Sequence, residues 1–180
     1  MKLKYGSLIL DISGKGVKIN SEICVDVPGP DECRYYFYSN PAGNARGNPG
    51  NALPGLSIEP KNFSFKAFRC KPCIEEHGTS VKELYSYLFK IEDITIYFHG
   101  CSYMLCSIDE VLGEKIDILL LRLGPSLMSP EEASELVKTL KPTLTIPISF
   151  DHEAGYKFRD LAFLYTQVVL PVRCSAKVGG

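Results

Sequence analysis

The residues best equipped for chemistry in this chain are seven cysteines and three histidines. Cys70-Lys71-Pro72-Cys73 is a C-x-x-C pair, the spacing of a dithiol redox couple or of half a zinc site. A redox couple of this kind opens a helix after a strand, whereas here a proline and a loop follow a strand pattern. A structural zinc site needs four ligands, and Cys101 or His99 could complete one. Disulfides are the third use. Cys24 and Cys33 flank Pro28-Gly29-Pro30 and could pair across that turn. Cys101 and Cys106 could pair if a turn brings their α-carbons within about 7 Å. The odd total leaves at least one thiol unpaired in a monomer. The bland alternative is that cysteines serve as small buried hydrophobes. His99 ends a strand pattern and could touch a ligand or simply sit at an edge. His152 has only Asp151 as a nearby carboxylate, and His77 reads as a loop residue.

A second stretch, Ser39-Asn40-Pro41-Ala42-Gly43-Asn44-Ala45-Arg46-Gly47, follows the apolar run Cys33 to Tyr38. Loops placed directly after a strand often carry function, because a rigid sheet positions them. This one holds no carboxylate, histidine or cysteine, and Arg46 is its only charge. Its glycines suggest a phosphate cradle, but the Walker lysine and the G-x-G-x-x-G spacing are missing.

The elements that must position these residues are legible from pattern. LKYGSLILDI reads as a strand, SGKG as a turn, and VKI, EICVDV and CRYYFY as further strands, with Asp26 ending the third. In NFSFKAF, Phe63, Phe65 and Ala67 alternate with Ser64 and Lys66. Tyr85, Tyr87, Phe89 and Ile91 alternate likewise with Ser86, Leu88, Lys90 and Glu92. Leu88 interrupts the polar side, so that face too is expected to be covered. Glu92-Asp93 reads as a tight connection into ITIYF. IDILLLRL is a continuous apolar run, as in a strand covered on both faces. A helix follows: Ser129 is its N-cap, Pro130 takes the first turn and Glu132 completes a capping box. Ala133, Leu136, Val137 and Leu140 form its apolar stripe, and Pro142 ends it. LTIPI returns as a strand parallel to the first, a βαβ unit. A second helix is expected over about 153–165.

Composition bounds the rest. One domain over 1–180 is expected, large enough for a real core. The net charge of -1 opposes broad nucleic-acid binding. No apolar run approaches the ~20 residues that span a bilayer, and Asp11 cuts short the run Leu8 to Leu10 that a signal peptide would need. The expectation is a cytoplasmic protein without membrane contact. Cytosolic disulfides would then point to a hyperthermophile.

IDILLLRLGPSLMSPEEASELVKTLKPTLTIPI resembles the C-terminal part of the metallo-β-lactamase fold superfamily, in particular its small L-ascorbate-6-phosphate-lactonase-like hydrolases. Met128, Pro130, Glu131, Glu132, Ala133, Lys141, Pro142, Pro147 and Ile148 match a pattern of M-x-P-E-E-A, helix, K-P and a strand ending P-I-H. SLILDISGKGVKINSEICVDVPGP looks, more loosely, like the family's opening hairpins. The resemblance implies an α/β fold of two mixed sheets packed face to face with outer helices, truncated in its N-terminal half.

It also implies a metal site that these residues cannot form. Where the family has T-H-x-H-x-D-H, this chain has Ser39-Asn40-Pro41-Ala42-Gly43-Asn44-Ala45. Asn40, Ala42 and Ala45 replace histidines and Asn44 replaces the aspartate. Cys101 stands for the bridging aspartate of G-D-T, and Ser149 for the last histidine. Alanine has no donor atom, and a neutral amide is a poor zinc ligand beside imidazole or carboxylate. The leading expectation is a degenerate member without cofactor or catalysis, acting as an interaction, scaffold or ligand-binding subunit. A partner chain or a second copy would cover sheet surface left by the missing helices. A small polar ligand could bind among Asn40, Asn44, Cys101 and Ser149. Two alternatives stay open: a hydrolase whose metal site was rebuilt from Cys70, Cys73, His99 and Cys101, and a thiol-redox protein using Cys70 and Cys73, with Cys101 and Cys106 as further candidate thiols.

Overall fold

A computed structural model of the protein describes residues 1–14, 16–27, 33–39, 63–70, 84–100, 108–124 and 127–171. Among them, two sheets face one another. The first contains β1 (Lys2–Tyr5), β2 (Leu8–Ile12), β3 (Val17–Ile19), β4 (Ile23–Val25) and β5 (Tyr35–Phe37) in sequential order. Its strands are antiparallel up to β4, and β5 joins β4 in parallel. LKYGSLILDI is therefore two strands and not one. Gly6 adopts φ +59°, a left-handed value that glycine takes without steric cost, and the chain reverses there.

The second sheet runs β11 (Gln167–Val168), β10 (Leu144–Ser149), β9 (Ile118–Arg122), β8 (Ile94–Phe98), β7 (Leu84–Ile91) and β6 (Phe63–Cys70). Strands β6, β7 and β8 form the expected antiparallel meander, closed at Glu92-Asp93, where Glu92 has φ +52°. Strands β8 to β11 are parallel. The βαβ unit is present: β9, then α1 (Pro130–Leu140), then β10. Helix α2 (His152–Ala162) is shorter than its sequence pattern suggested, and the short edge strand β11 follows it.

Burial follows the parity of the strands. Phe37, Phe65, Tyr87, Phe89, Phe98, Leu120 and Ile146 pack between the sheets with Leu8, Leu10, Val17 and Ile19. Phe37 is the hub, edge-on to Phe65 and Phe89 at 4.9 Å each and to Tyr87 at 5.3 Å. Leu88, Tyr97, Leu119 and Leu121 face the other way and meet Ala133, Leu136, Val137, Leu140 and Phe158 of the two helices. Leu88 thus breaks the alternation because helices cover that face. The outer face of the first sheet is different. Its cross-strand row is Lys2, Asp11, Lys18, Cys24 and Tyr36, mostly charged or polar. Exposed apolar surface gathers instead at the end of α2 and just beyond it, at Leu161, Phe163, Leu164 and Tyr165. No helix among the described residues is long and apolar enough to cross a membrane.

Candidate functional site

The ends of β4, β5, β7, β8, β9 and β10 meet at one edge of the two sheets. The residue after β4, Asp26, turns the chain with φ +53°, a conformation that Asp tolerates better than most residues. Gly16 makes room for that corner: a β-carbon there would lie 2.3 Å from the Val25 carbonyl oxygen. The carboxylate of Asp26 then takes two hydrogen bonds from Ser39. The backbone N–H donates at 2.7 Å and the hydroxyl at 2.5 Å. On the opposite sheet Arg122 closes the group. Its Nη2 lies 2.8 Å from Asp26 Oδ2, and its Nη1 donates to Ser39 Oγ at 3.4 Å. Arg122 points between the sheets because it shares parity with the buried Ile118 and Leu120. The side chain of Asp26 is 5% exposed and that of Arg122 23%.

The exit of β5 is held from further directions. Tyr87 Oη donates to the Tyr38 carbonyl at 2.7 Å, and the Tyr85 N–H donates to the Ser39 carbonyl at 2.8 Å. Burial pushes the Tyr87 phenol well above its usual range, so it stays a donor. Gly100 packs directly on this exit. A β-carbon there would lie 1.9 Å from the Tyr85 carbonyl oxygen and 2.7 Å from Ser39 Cβ. The Gly100 N–H donates to Ser86 Oγ at 3.1 Å. Ser149 stands level with Arg122 across the β9–β10 pair, where the register shifts after Pro147.

Electrostatically, burial is the largest influence on Asp26 and pushes its carboxyl above the ordinary aspartate value. The Arg122 charge and the two Ser39 hydrogen bonds pull against that rise.

Of the residues singled out in the sequence, Ser39 and Ser149 come to this edge, and Gly100 brings the chain there just before Cys101. Asn40, Ala42, Asn44, Ala45, Cys73, Cys101 and Cys106 lie outside the described residues, as do Arg46 and His77. His99 is buried on the helix side of the second sheet, with Nδ1 3.1 Å from Tyr97 Oη, and so turns away from the space between the sheets. His152 begins α2 and stacks on Tyr156. Cys70 has the same parity as Phe68, which packs on the helix-side core, and its sulfur lies 3.7 Å from Ser86 Oγ. Cys70 is disulfide-bonded. It is thus spent as a thiolate ligand or attacking thiol while that bond lasts. Cys24 and Cys33 are bonded across the turn, with α-carbons 5.9 Å apart.

Sequence reasoning passed over Asp26 and Arg122. A signal was available: Arg122 is the one charge inside ILLLRL, and a strand covered on both faces needs a counter-charge for it. Asp26, at the end of an equally apolar strand, is such a group.

The residues described here do not fit a metal centre. Asp26 is already committed to Arg122 and Ser39, and a fixed guanidinium charge beside it opposes a divalent cation. Among the described residues no group of three or more His, Cys, Asp or Glu side chains is disposed to hold a metal.

Comparison with known proteins places these features in a family. The model of the beta-lactamase superfamily domain matches residues 42–149. A candidate Zn-dependent hydrolase of the metallo-β-lactamase superfamily from Thermotoga maritima superposes with a TM-score of 0.64 at 17% identity, covering 91% of this chain and 97% of that one. A candidate metal-dependent hydrolase from Parabacteroides distasonis gives 0.64 at 15% identity, over 94% and 96%. A metallo hydrolase from the hyperthermophilic archaeon Ignicoccus hospitalis gives 0.64 at 10% identity, over 91% and 94%. At these identities the likeness is one of fold. No curated protein sequence matches the chain. The family model covers more than half of the sequence, and the two facing mixed sheets are the fold of its structural neighbours: the chain belongs to the beta-lactamase superfamily.

Proposed function

We propose that this chain is a superfamily member that has lost the dinuclear hydrolytic centre and serves as an interaction or ligand-binding subunit. The observation that carries this reading is the set of residues at the ligand positions. Asn40, Ala42, Asn44, Ala45, Cys101 and Ser149 stand where the family's motifs have histidine or aspartate. Without metal there is neither a Lewis acid nor a hydroxide generated at neutral pH. The chain has three histidines in all; of the two described ones, His99 pairs with the Tyr97 hydroxyl and His152 stacks on Tyr156. Asn40, Asn44, Cys101 and Ser149 suit a small neutral polar ligand, held by hydrogen bonds rather than transformed. A second copy or a partner chain is part of the same proposal. A cytoplasmic location belongs to it too, although the Cys24–Cys33 bond then calls for a hot or oxidising setting.

The competing reading is a metal-dependent hydrolase, which is how the structural neighbours from Thermotoga maritima and Parabacteroides distasonis are described. It would need a new ligand set such as Cys70, Cys73, His99 and Cys101. The disulfide at Cys70 weighs against that set.

Elemental mass spectrometry on protein purified without a metal-binding tag decides between them. The expected result is far less than one metal per chain, even after incubation with zinc or manganese. One bound metal per chain would sink the proposal and make hydrolase assays the next step.

A further inference from the structure

We propose that the Arg122 guanidinium is the resident cation of this strand-end site, the charge that makes the burial of Asp26 tolerable. The inference rests on the reading that the metal centre is lost. Asp26 belongs to the first sheet and Arg122 to the second, so their 2.8 Å contact joins the two sheets where the β5 exit lies. The same guanidinium reaches Ser39, and Ser39 returns two hydrogen bonds to Asp26. Three residues at three strand ends are thus joined to one another. A carboxylate this buried is costly when left alone, and removing the partner of a buried pair destabilises far more than the pair itself contributes. Arginine suits the position because its planar fork can address two partners at once, which a lysine ammonium does less well.

The test is a double-mutant cycle read by thermal melting. Arg122→Ala is expected to melt about 6 °C or more below the wild type at pH 7. The Asp26→Asn/Arg122→Ala double variant is expected to melt above Arg122→Ala alone, because no buried charge is then left unpaired. The deficit of Arg122→Ala is also expected to shrink at pH 4, where the lone Asp26 takes up a proton. Should Arg122→Ala not fold, Arg122→Gln replaces it in the same cycle, being neutral with a comparable stem. If the double variant melts no higher than the single one, or if the deficit is equal at pH 4 and pH 7, Arg122 acts through packing of its stem and the inference fails. Metal content of the wild type separates the two failures. Stoichiometric zinc overturns both proposals, whereas a metal-free wild type with a failed cycle overturns this one alone.

Discussion

At the scale of single residues, Asp26 is where conformation and charge meet. Its left-handed backbone needs the bare α-carbon of Gly16 beneath it, and its carboxylate needs Ser39 and Arg122. Because burial raises its pKa in the fold above the value of 3.8 that it has in an unfolded chain, the native state holds the Asp26 proton longer than the unfolded state does. Stability contributed through this titration is therefore full below the unfolded value and is lost as pH rises through the folded one. Asp26→Asn removes that loss. Urea midpoints at several pH values should show the advantage of wild type over Asp26→Asn shrinking from about pH 4 upward. An advantage that grew over that range would mean that Arg122 and Ser39 outweigh burial. Gly100 is a second position fixed by space: with 1.9 Å between a β-carbon and the Tyr85 carbonyl, backbone rather than a side-chain tip would have to move.

At the scale of elements, α1 is the part most fully written in local sequence. Ser129 accepts from the Glu132 N–H, and Glu132 accepts from the Ser129 N–H, which satisfies two groups that the helix cannot bond itself. Ser129→Ala is expected to cost about 1 kcal/mol, measured by urea unfolding, and a change under a few tenths would mean that tertiary packing alone holds the helix start. Helix α2 shows the limit of such reading. Its apolar residues continue through Phe163, Leu164 and Tyr165, so periodicity extends it, yet the helix stops at Ala162 and those side chains stand exposed. Strand β9 shows the converse. Its unbroken apolar run told that both faces are covered, and the faces prove to be two different cores.

At the scale of the molecule, two cores share the second sheet, and the aromatic group around Phe37 locks the first sheet to it. The first sheet is further tied by the Cys24–Cys33 bond on its outer face, which closes a loop of nine-residue separation. In the chain-entropy account such a closure contributes about 2–3 kcal/mol. Cys33→Ser should lower the melting temperature accordingly, with far-ultraviolet circular dichroism unchanged. A variant that melts with the wild type would show that β4–β5 pairing needs no covalent tie. The outer face itself carries Lys2, Asp11 and Lys18 in one cross-strand row.

Sequence alone determined whatever depends on neighbours along the chain. It set the α1 cap, the β6–β8 alternation and the parallel β9–α1–β10 unit. A Cys24–Cys33 pairing was legible as an option because both cysteines flank a Pro-Gly-Pro turn. Tertiary structure decided what depends on parity and distance across sheets. It turned His99 and Cys70 to the helix side of the second sheet, and it brought Asp26 against Arg122 across 96 positions of chain. Local pattern tells that a charge lies in a buried strand. Only the packing of two sheets chooses the opposite charge that makes its burial tolerable.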